Sequence, residues 1–488
     1  MTAATTLDPG RTFTFCRDLW ERDLQARLED FIRIPAISPA YDPDWDGRGD
    51  LDRVADELAR WIRSLPIPGS HVEVLRAPGR TPLVFVDIPG TQDADGTVLF
   101  YGHLDKQPGG AGWSEGLGPW TPVFDGTRLF GRGGADDGYA PYASMAAVLA
   151  VDEQQGRRPR CLGIFETSEE SGSPDLDHWL GLLGPRIGPV ELVACLDSGA
   201  GDYDRLWLVT SLRGHCGGRL EVQVLDEGAH SGDAGGIVPS SFRLLRRLLD
   251  RLEDSATGRI LVPEANVVIP PERIAQAKQA SEVLGNRILE RFAWYGSGET
   301  RVEAMNADLA ELLLNRAWRP SLSITGADGI PSIADAGNVL RPSTGVKLSF
   351  RLPPSADSAA TARAVQRTLE ADPPANARVR FDPDGVIVDG WSAAPMAPWL
   401  ARTLMSASRD FFDGRDLAMI GQGGSIPLMG ILDRHFPQAQ VLAGGVQGPG
   451  TNAHGPNEAL HMPYTHRLTA CLATLLPAVA GNPAVPRS

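Results

Sequence analysis

Three short runs of this chain, Thr97–Tyr101, Arg160–Phe165 and Val190–Leu196, are almost wholly apolar, and each leads into a histidine or carboxylate cluster. Strands that stay hydrophobic along their whole length, instead of alternating, are buried on both faces. Segments of helical periodicity, Tyr142–Asp152 and Leu176–Leu183, stand between them. This alternation predicts an α/β fold around a mostly parallel sheet. In open sheets of this kind ligands bind at the carboxyl ends of the strands, so the polar clusters stand where a site would form.

The rest of the chain divides around that pattern. Residues 1 to about 12 read as a loose arm, followed by a helix over Phe13–Ile34 that Pro35 closes and another over Leu51–Leu65. Val72–Leu75 and Pro82–Ile88 read as strands. Near Leu206 polar residues begin to interleave with apolar ones, in Leu206–Thr210 and Gly218–Val224. Helices are expected at Phe242–Leu252, Glu272–Leu289, Ala304–Leu314 and Ala359–Ala371, with strands at Ser321–Thr325, Gly345–Leu352 and Arg378–Asp384. The α/β texture resumes with a helix at Pro398–Phe411, a strand at Gln440–Ala443 and a last helix from Tyr464. A chain of 488 residues exceeds what one core organises. The expected division is an α/β domain of residues 1–211 and 387–488, interrupted by an α+β insertion over 212–386. There is no internal repeat, and low complexity is confined to the terminal Pro/Ala/Gly tail.

Composition removes several function classes. The 46 basic and 61 acidic side chains leave a net charge of −15, which disfavours nucleic acid and anionic membranes as partners. No apolar run approaches the roughly 18–20 residues that span a bilayer, and the start lacks a secretory signal, so a cytoplasmic location is expected. Five cysteines without CxxC spacing argue against a disulfide framework or a thiolate zinc site and read as small buried hydrophobes.

Each polar cluster has a chemical and a bland reading. In His103-x-Asp105, a carboxylate two residues on can steer the imidazole nitrogen that is not on a metal; alone, the pair better describes a structural histidine. Asp136-Asp137 sits in a glycine-rich turn before a helix, where carboxylates also serve as caps. Glu166, Glu169 and Glu170 crowd one apolar strand end, which is costly unless a cation compensates them. Where two carboxylates adjoin, one can ligate while the other takes a proton from water. Asp197 ends the next strand, and His454 follows the last one.

The motifs GHLD, GRGxxDD, EESGS, LDSG and AHGPNE occur here in that order. The chain thereby resembles the co-catalytic zinc exopeptidases, the family of carnosinase, bacterial dipeptidases, cysteinylglycine dipeptidase, aminoacylase and carboxypeptidase G. The resemblance implies two zinc ions per subunit, with manganese or cobalt as alternatives. It implies that His103 and Asp197 hold one ion, Glu170 and His454 the other, and that Asp136 bridges them. Glu169 would be the general base and Asp105 the carboxylate steering His103. The insertion would be a lid and dimerisation domain of a homodimer. In it, the HSGxxGG-like segment at His230 would reach the partner's active site. Asn338, and Arg351 in Ser-Phe-Arg-Leu, would contact substrate, as would Gly424 and Ser425 of the GGSIP loop.

Asp197, where aminoacylase relatives usually have glutamate, and GGSIP favour the carnosinase and cysteinylglycine-dipeptidase branch. Gly138 replaces the lysine usual in that branch, Gln422 a glutamate and Gly421 an arginine. The expected activity is zinc-dependent amide hydrolysis in dipeptides or dipeptide-like small molecules. The alternatives are hydrolysis of N-acyl or N-carbamoyl amino acids, which Gln422 favours, and a metal-free binding or regulatory protein on the same scaffold.

Overall fold

The structure is a computed structural model that describes residues 7–91 and 94–482. It divides into two compact units: Met1–Thr210 with Ala393–Ile420 and Ile431–Ser488, and Ser211–Ser392 with Gly421–Gly430. The segment around GGSIP thus belongs with the inserted unit, although the sequence assigns it to the flanking domain.

The first unit is built on a six-stranded sheet. Its spatial order is His71–Leu75, Leu83–Ile88, Arg160–Glu166, Thr97–His103, Leu192–Cys195 and Gln440–Ala443. The last four run parallel, whereas the two at the other edge pair antiparallel. The expectation of a mostly parallel sheet therefore holds, with an antiparallel edge formed by the first two strands. Thr97–His103 is buried at every position, as a strand covered on both faces must be. The helices Tyr139–Glu153 and Met462–Ala480 are apolar almost all round and nearly wholly buried, which marks them as core helices. Val98, Phe100, Met145, Ala146, Leu472 and Leu476 belong to this core. All five cysteines are free and buried.

The N-terminal arm is shorter than its composition suggests. Asp8 caps a helix starting at Pro9 by accepting from the Arg11 amide at 2.7 Å, and proline at the first helical position is preorganised for that role. Helical structure continues through a π-turn at Trp20–Leu24 to Ile32. The first six residues of the arm and the end of the Pro/Ala/Gly tail lie outside the described residues.

The second unit carries a four-stranded antiparallel sheet in the order Ser321–Asp328, Ser343–Leu352, Gly214–Gln223 and Arg378–Pro383. The helices Ser241–Leu249 and Ser358–Glu370 contribute to its core, with Leu220, Leu348, Phe350, Leu245 and Val365 fully or almost fully buried. Among the described residues no helix is long and apolar enough to cross a membrane.

Candidate active site

The chemistry-bearing residues of the first unit converge at the carboxyl ends of the parallel strands. His103 is the last residue of its strand and pairs in register with Glu166. Glu169 and Glu170 occupy a single 3-10 turn just after Glu166. Asp197 follows the Leu192–Cys195 strand. Asp136 lies in the tight Gly134–Gly138 turn before the Tyr139–Glu153 helix. That turn depends on Gly133, which has φ +78°, and a Cβ there would meet the Lys106 stem at 2.7 Å. His454 comes from the loop before Ala459–His461 and itself has φ +64°.

Asp136 stands between the two histidines. Its Oδ1 is 3.3 Å from His103 Nε2 and its Oδ2 2.9 Å from His454 Nε2. Asp197 Oδ2 lies 3.8 Å from His103 Nε2, and Glu170 Oε2 lies 3.4 Å from His454 Nε2. Ligands around a tetrahedral zinc with bonds of about 2.0–2.2 Å stand roughly 3.3–3.6 Å apart. Two of the four distances lie in that window and the other two, 2.9 and 3.8 Å, lie within about 0.4 Å of it, so the nitrogen–oxygen donor set fits metal ligation. Two overlapping sets of donor atoms emerge, His103 with Asp136 and Glu170, and His103 with Glu169 and Asp197.

The electrostatics point the same way. Burial pushes the Asp197 carboxyl up to about 7 and Glu170 up to about 8, with Asp136 adding to both. Burial, then Asp197, raises Glu169 well above the usual carboxylate range. Asp136 moves down instead: burial opposes its charge, but hydrogen bonds to His103 and His454 prevail. His454 rises to about 9, chiefly through its bond to Asp136. A buried acid cluster of this kind retains protons unless cations replace them.

Asp105 faces His103 with both its carboxylate and its main-chain carbonyl. His103 Nδ1 is 3.0 Å from the main-chain carbonyl of Asp105 and 3.5 Å from its carboxylate. The carboxylate also accepts from the amides of Glu169 and Glu170, each at 3.0 Å. It thus ties the glutamate turn to the histidine strand.

Several supporting residues escaped the sequence reading. Arg132 donates to Glu458 Oε2 at 2.7 Å and to the carbonyls of His454 and Gly455 at 3.1 and 3.0 Å. The other oxygen of Glu458 accepts from the amides of Gly133 and Ala135. Gln107 donates to Glu170 at 2.6 Å, and Gln447 to Asp197 at 3.2 Å. Arg132 and Glu458 lie inside the quoted motifs, and their charge was the available signal. Gly138 has no room for a side chain, since a Cβ would collide with the Phe31 ring. The buried ammonium of this region belongs to Lys106, which donates to the carbonyls of Phe31 and Ile34 at 2.6 and 2.7 Å.

The second unit holds the other five residues in two groups. His230 pairs in register with Val339, beside Asn338, whose carbonyl accepts from the Ser231 amide at 2.9 Å. The His230 side chain is two-thirds exposed, and its Nδ1 accepts from the Gly232 amide at 3.1 Å. Arg351 Nη1 donates to Ser425 Oγ at 2.9 Å, and the adjacent Gly424 carbonyl accepts from the Arg213 amide.

Comparison with known proteins identifies relatives of the chain. The cysteinylglycine-S-conjugate dipeptidase of Corynebacterium striatum is 27% identical over 371 residues, covering 75% of this chain and 77% of that protein. Human Beta-Ala-His dipeptidase is 31% identical over 313 residues, covering 63% of this chain and 57% of its own length. Among solved structures, the di-peptidase Dug1p of Saccharomyces cerevisiae superposes with a TM-score of 0.73 at 23% identity, over 98% of this chain and 99% of that one, which establishes a common fold. The model of peptidase family M20/M25/M40 matches residues 99–478, which contain every residue of the cluster, and the chain belongs to that family of hydrolases.

Proposed function

We propose that the protein is a metal-dependent dipeptidase whose cluster holds two zinc ions, His103 and Asp197 on one, Glu170 and His454 on the other, and Asp136 on both. The position of Asp136, one oxygen toward each histidine, carries this reading, and the dipeptidase names of the relatives support it. Zinc in such a site polarises a carbonyl and acidifies a water molecule.

The chain's own residues do the rest. Glu169, kept basic by the cations, takes the proton of the attacking water and delivers it to the leaving amine. The Asp105 carboxylate fixes the turn that carries Glu169. His230 supplies a hydrogen bond to the developing oxyanion, acting from the partner subunit. Arg351, Ser425 and the Gly424 backbone grip the substrate's terminal carboxylate, and Asn338 adds a polar contact beside His230.

A homodimer fits the second unit. Its edge strand Ser321–Asp328 pairs on one side only and is largely exposed. Ile324, Ile333 and Ile237 are exposed in the same unit, Ile333 at 98%. Unprotected edges and apolar surface of this kind favour self-association. The site of action is the cytoplasm.

Gln422 supports a second reading, hydrolysis of N-acyl or N-carbamoyl amino acids, because the loop lacks an anion for a free ammonium group. A panel of dipeptides against their N-acetylated forms separates the two. The dipeptidase reading requires cleavage of the free forms, abolished by chelation and restored by zinc. Exclusive cleavage of the acylated forms overturns it.

A further inference from the structure

The GGSIP loop of the second unit, Gly421 to Pro427, carries no charge of its own, yet it is encircled by arginines. Arg351 donates to Ser425 Oγ. Arg213 donates through Nε to the Gly423 carbonyl at 3.2 Å and through Nη1 to Ser321 Oγ at 3.0 Å. Arg316 donates through Nη2 to the Gly421 carbonyl at 3.1 Å, while its Nε is buried without a partner. A Cβ on Gly423 would lie 3.0 Å from Arg213 Nη2 and 3.3 Å from Arg316 Cγ, so both side chains press on the same glycine. Among the described residues none of the three pairs with a carboxylate within 4.0 Å, although most arginines of this chain do.

Like charges gathered in this way repel. Burial, with Arg351 adding, brings Arg213 down to about 10. Burial, with Arg291 and Arg213 adding, does the same to Arg316. A guanidinium offers five N–H donors in a planar fork suited to carboxylates. Among the described residues most donors of the three groups are left without a protein acceptor, and the acceptors they do have are neutral. A bound anion would satisfy both the charge and the forks.

We propose that Arg213 and Arg316 extend the Arg351–Ser425 contact into a second carboxylate subsite, so that the preferred substrate is a dipeptide whose C-terminal residue is glutamate or aspartate. The proposal rests on the dipeptidase reading, in which Arg351 and Ser425 hold the terminal carboxylate. The second anion then belongs to the same residue, because all three arginines flank one loop. The uncharged Gln422 is consistent with this, since a glutamate there would repel an acidic ligand.

Two measurements on the zinc-loaded, full-length protein test it. The first is calorimetric titration with L-glutamate and L-glutamine, which differ by one charge at nearly equal size. The second is kcat/KM for alanyl-glutamate against alanyl-glutamine. Charge-assisted contacts predict a preference for the acid of roughly tenfold or more in both. Arg316→Met and Arg213→Met should each shrink that ratio severalfold, and Arg316→Lys should keep part of it. Equal affinity for glutamate and glutamine in the wild type overturns the proposal. So does an Arg316→Met variant that loses activity on both dipeptides by one factor, since that describes loop support alone. If either variant fails to fold, the wild-type ratio decides. Selective glutamate binding without cleavage of any dipeptide would leave the subsite standing and the dipeptidase reading fallen; cleavage without acid preference would do the reverse.

Discussion

Arg132 and Glu458 form an ion pair of 2.7 Å between side chains 2% and 0% exposed, across 326 positions of sequence. The pair joins the loop that carries Asp136 to the loop that carries His454. Removing one member strands the other as a buried charge, at a cost of about 3–5 kcal/mol. Arg132→Met should lower unfolding free energy by that amount, read from denaturant midpoints, and weaken zinc binding as well. An unchanged midpoint would deny the pair its structural role.

In the proposed mechanism the glutamate turn separates ligation by Glu170 from proton transfer by Glu169. Glu169→Gln should cut kcat by on the order of 100- to 10,000-fold while metal content stays at the wild-type value. Glu170→Gln should lose metal. Emission spectrometry of the purified variants checks both, and loss of zinc from the Glu169 variant would exchange the two roles.

Asp136 should matter more than any single ligand. Asp136→Ala removes the carboxylate between His103 and His454 and should empty both positions, lowering the melting temperature through lost linkage to metal binding. One retained equivalent of zinc would show that Asp136 does not serve both.

The metal-free protein should have its own pH profile. Folding raises the carboxyls of Glu170 to about 8 and of Asp197 and Glu458 to about 7, and it raises His454 to about 9. The folded state therefore holds protons that the unfolded chain has already released, so stability falls as pH rises. For the carboxyls that stability is fully present below about pH 4 and is lost as pH climbs through 7 to 8. Depression of Asp136 acts only in strong acid. Chelated protein should lose melting temperature steadily from pH 5 to 8, and zinc should flatten the slope. A chelated protein that gains stability over that range contradicts the assignment.

Subunit mixing tests the partner role of His230. Inactive Glu169→Ala and His230→Ala subunits, exchanged at equal amounts, should recover about a quarter of wild-type activity, because half the dimers are mixed and each has one complete site. Absence of recovery, with exchange verified by labelling, would assign His230 to its own subunit or to none.

How much of this could be read from the sequence depended on how local the cause was. The helix Pro398–Phe411 and the strand Gln440–Ala443 have the expected bounds, since apolar periodicity and a proline start specify them within their own length. The strand Ala418–Gln422 and the helix Pro427–His435 were missed, because glycines on either side of GGSIP mask any pattern. The assignment of Gly421–Gly430 to the second unit follows from long-range contacts such as Arg213 to Gly423. Of the residues proposed as ligands, His103, Glu170, Asp197 and His454 stood visibly at or after strands, and Asp136 in a glycine-rich turn before a helix. The additional contact of the Asp105 carbonyl with His103 was invisible, because a main-chain acceptor leaves no trace in residue identity.

The interruption of the first unit also sets an order of manufacture. His103, Asp136, Glu170 and Asp197 all precede the inserted unit, whereas His454 follows it on the segment that adds the Gln440–Ala443 strand beside Leu192–Cys195. At about 5–20 residues per second, the ribosome delivers His454 on the order of ten seconds or more after Asp197. For that interval the nascent chain presents a crowd of acids without the second imidazole or the Glu458 that secures Arg132. Completion of the His103–Asp136–His454 cluster is therefore a late event of biogenesis, since His454 leaves the ribosome only after the whole inserted unit.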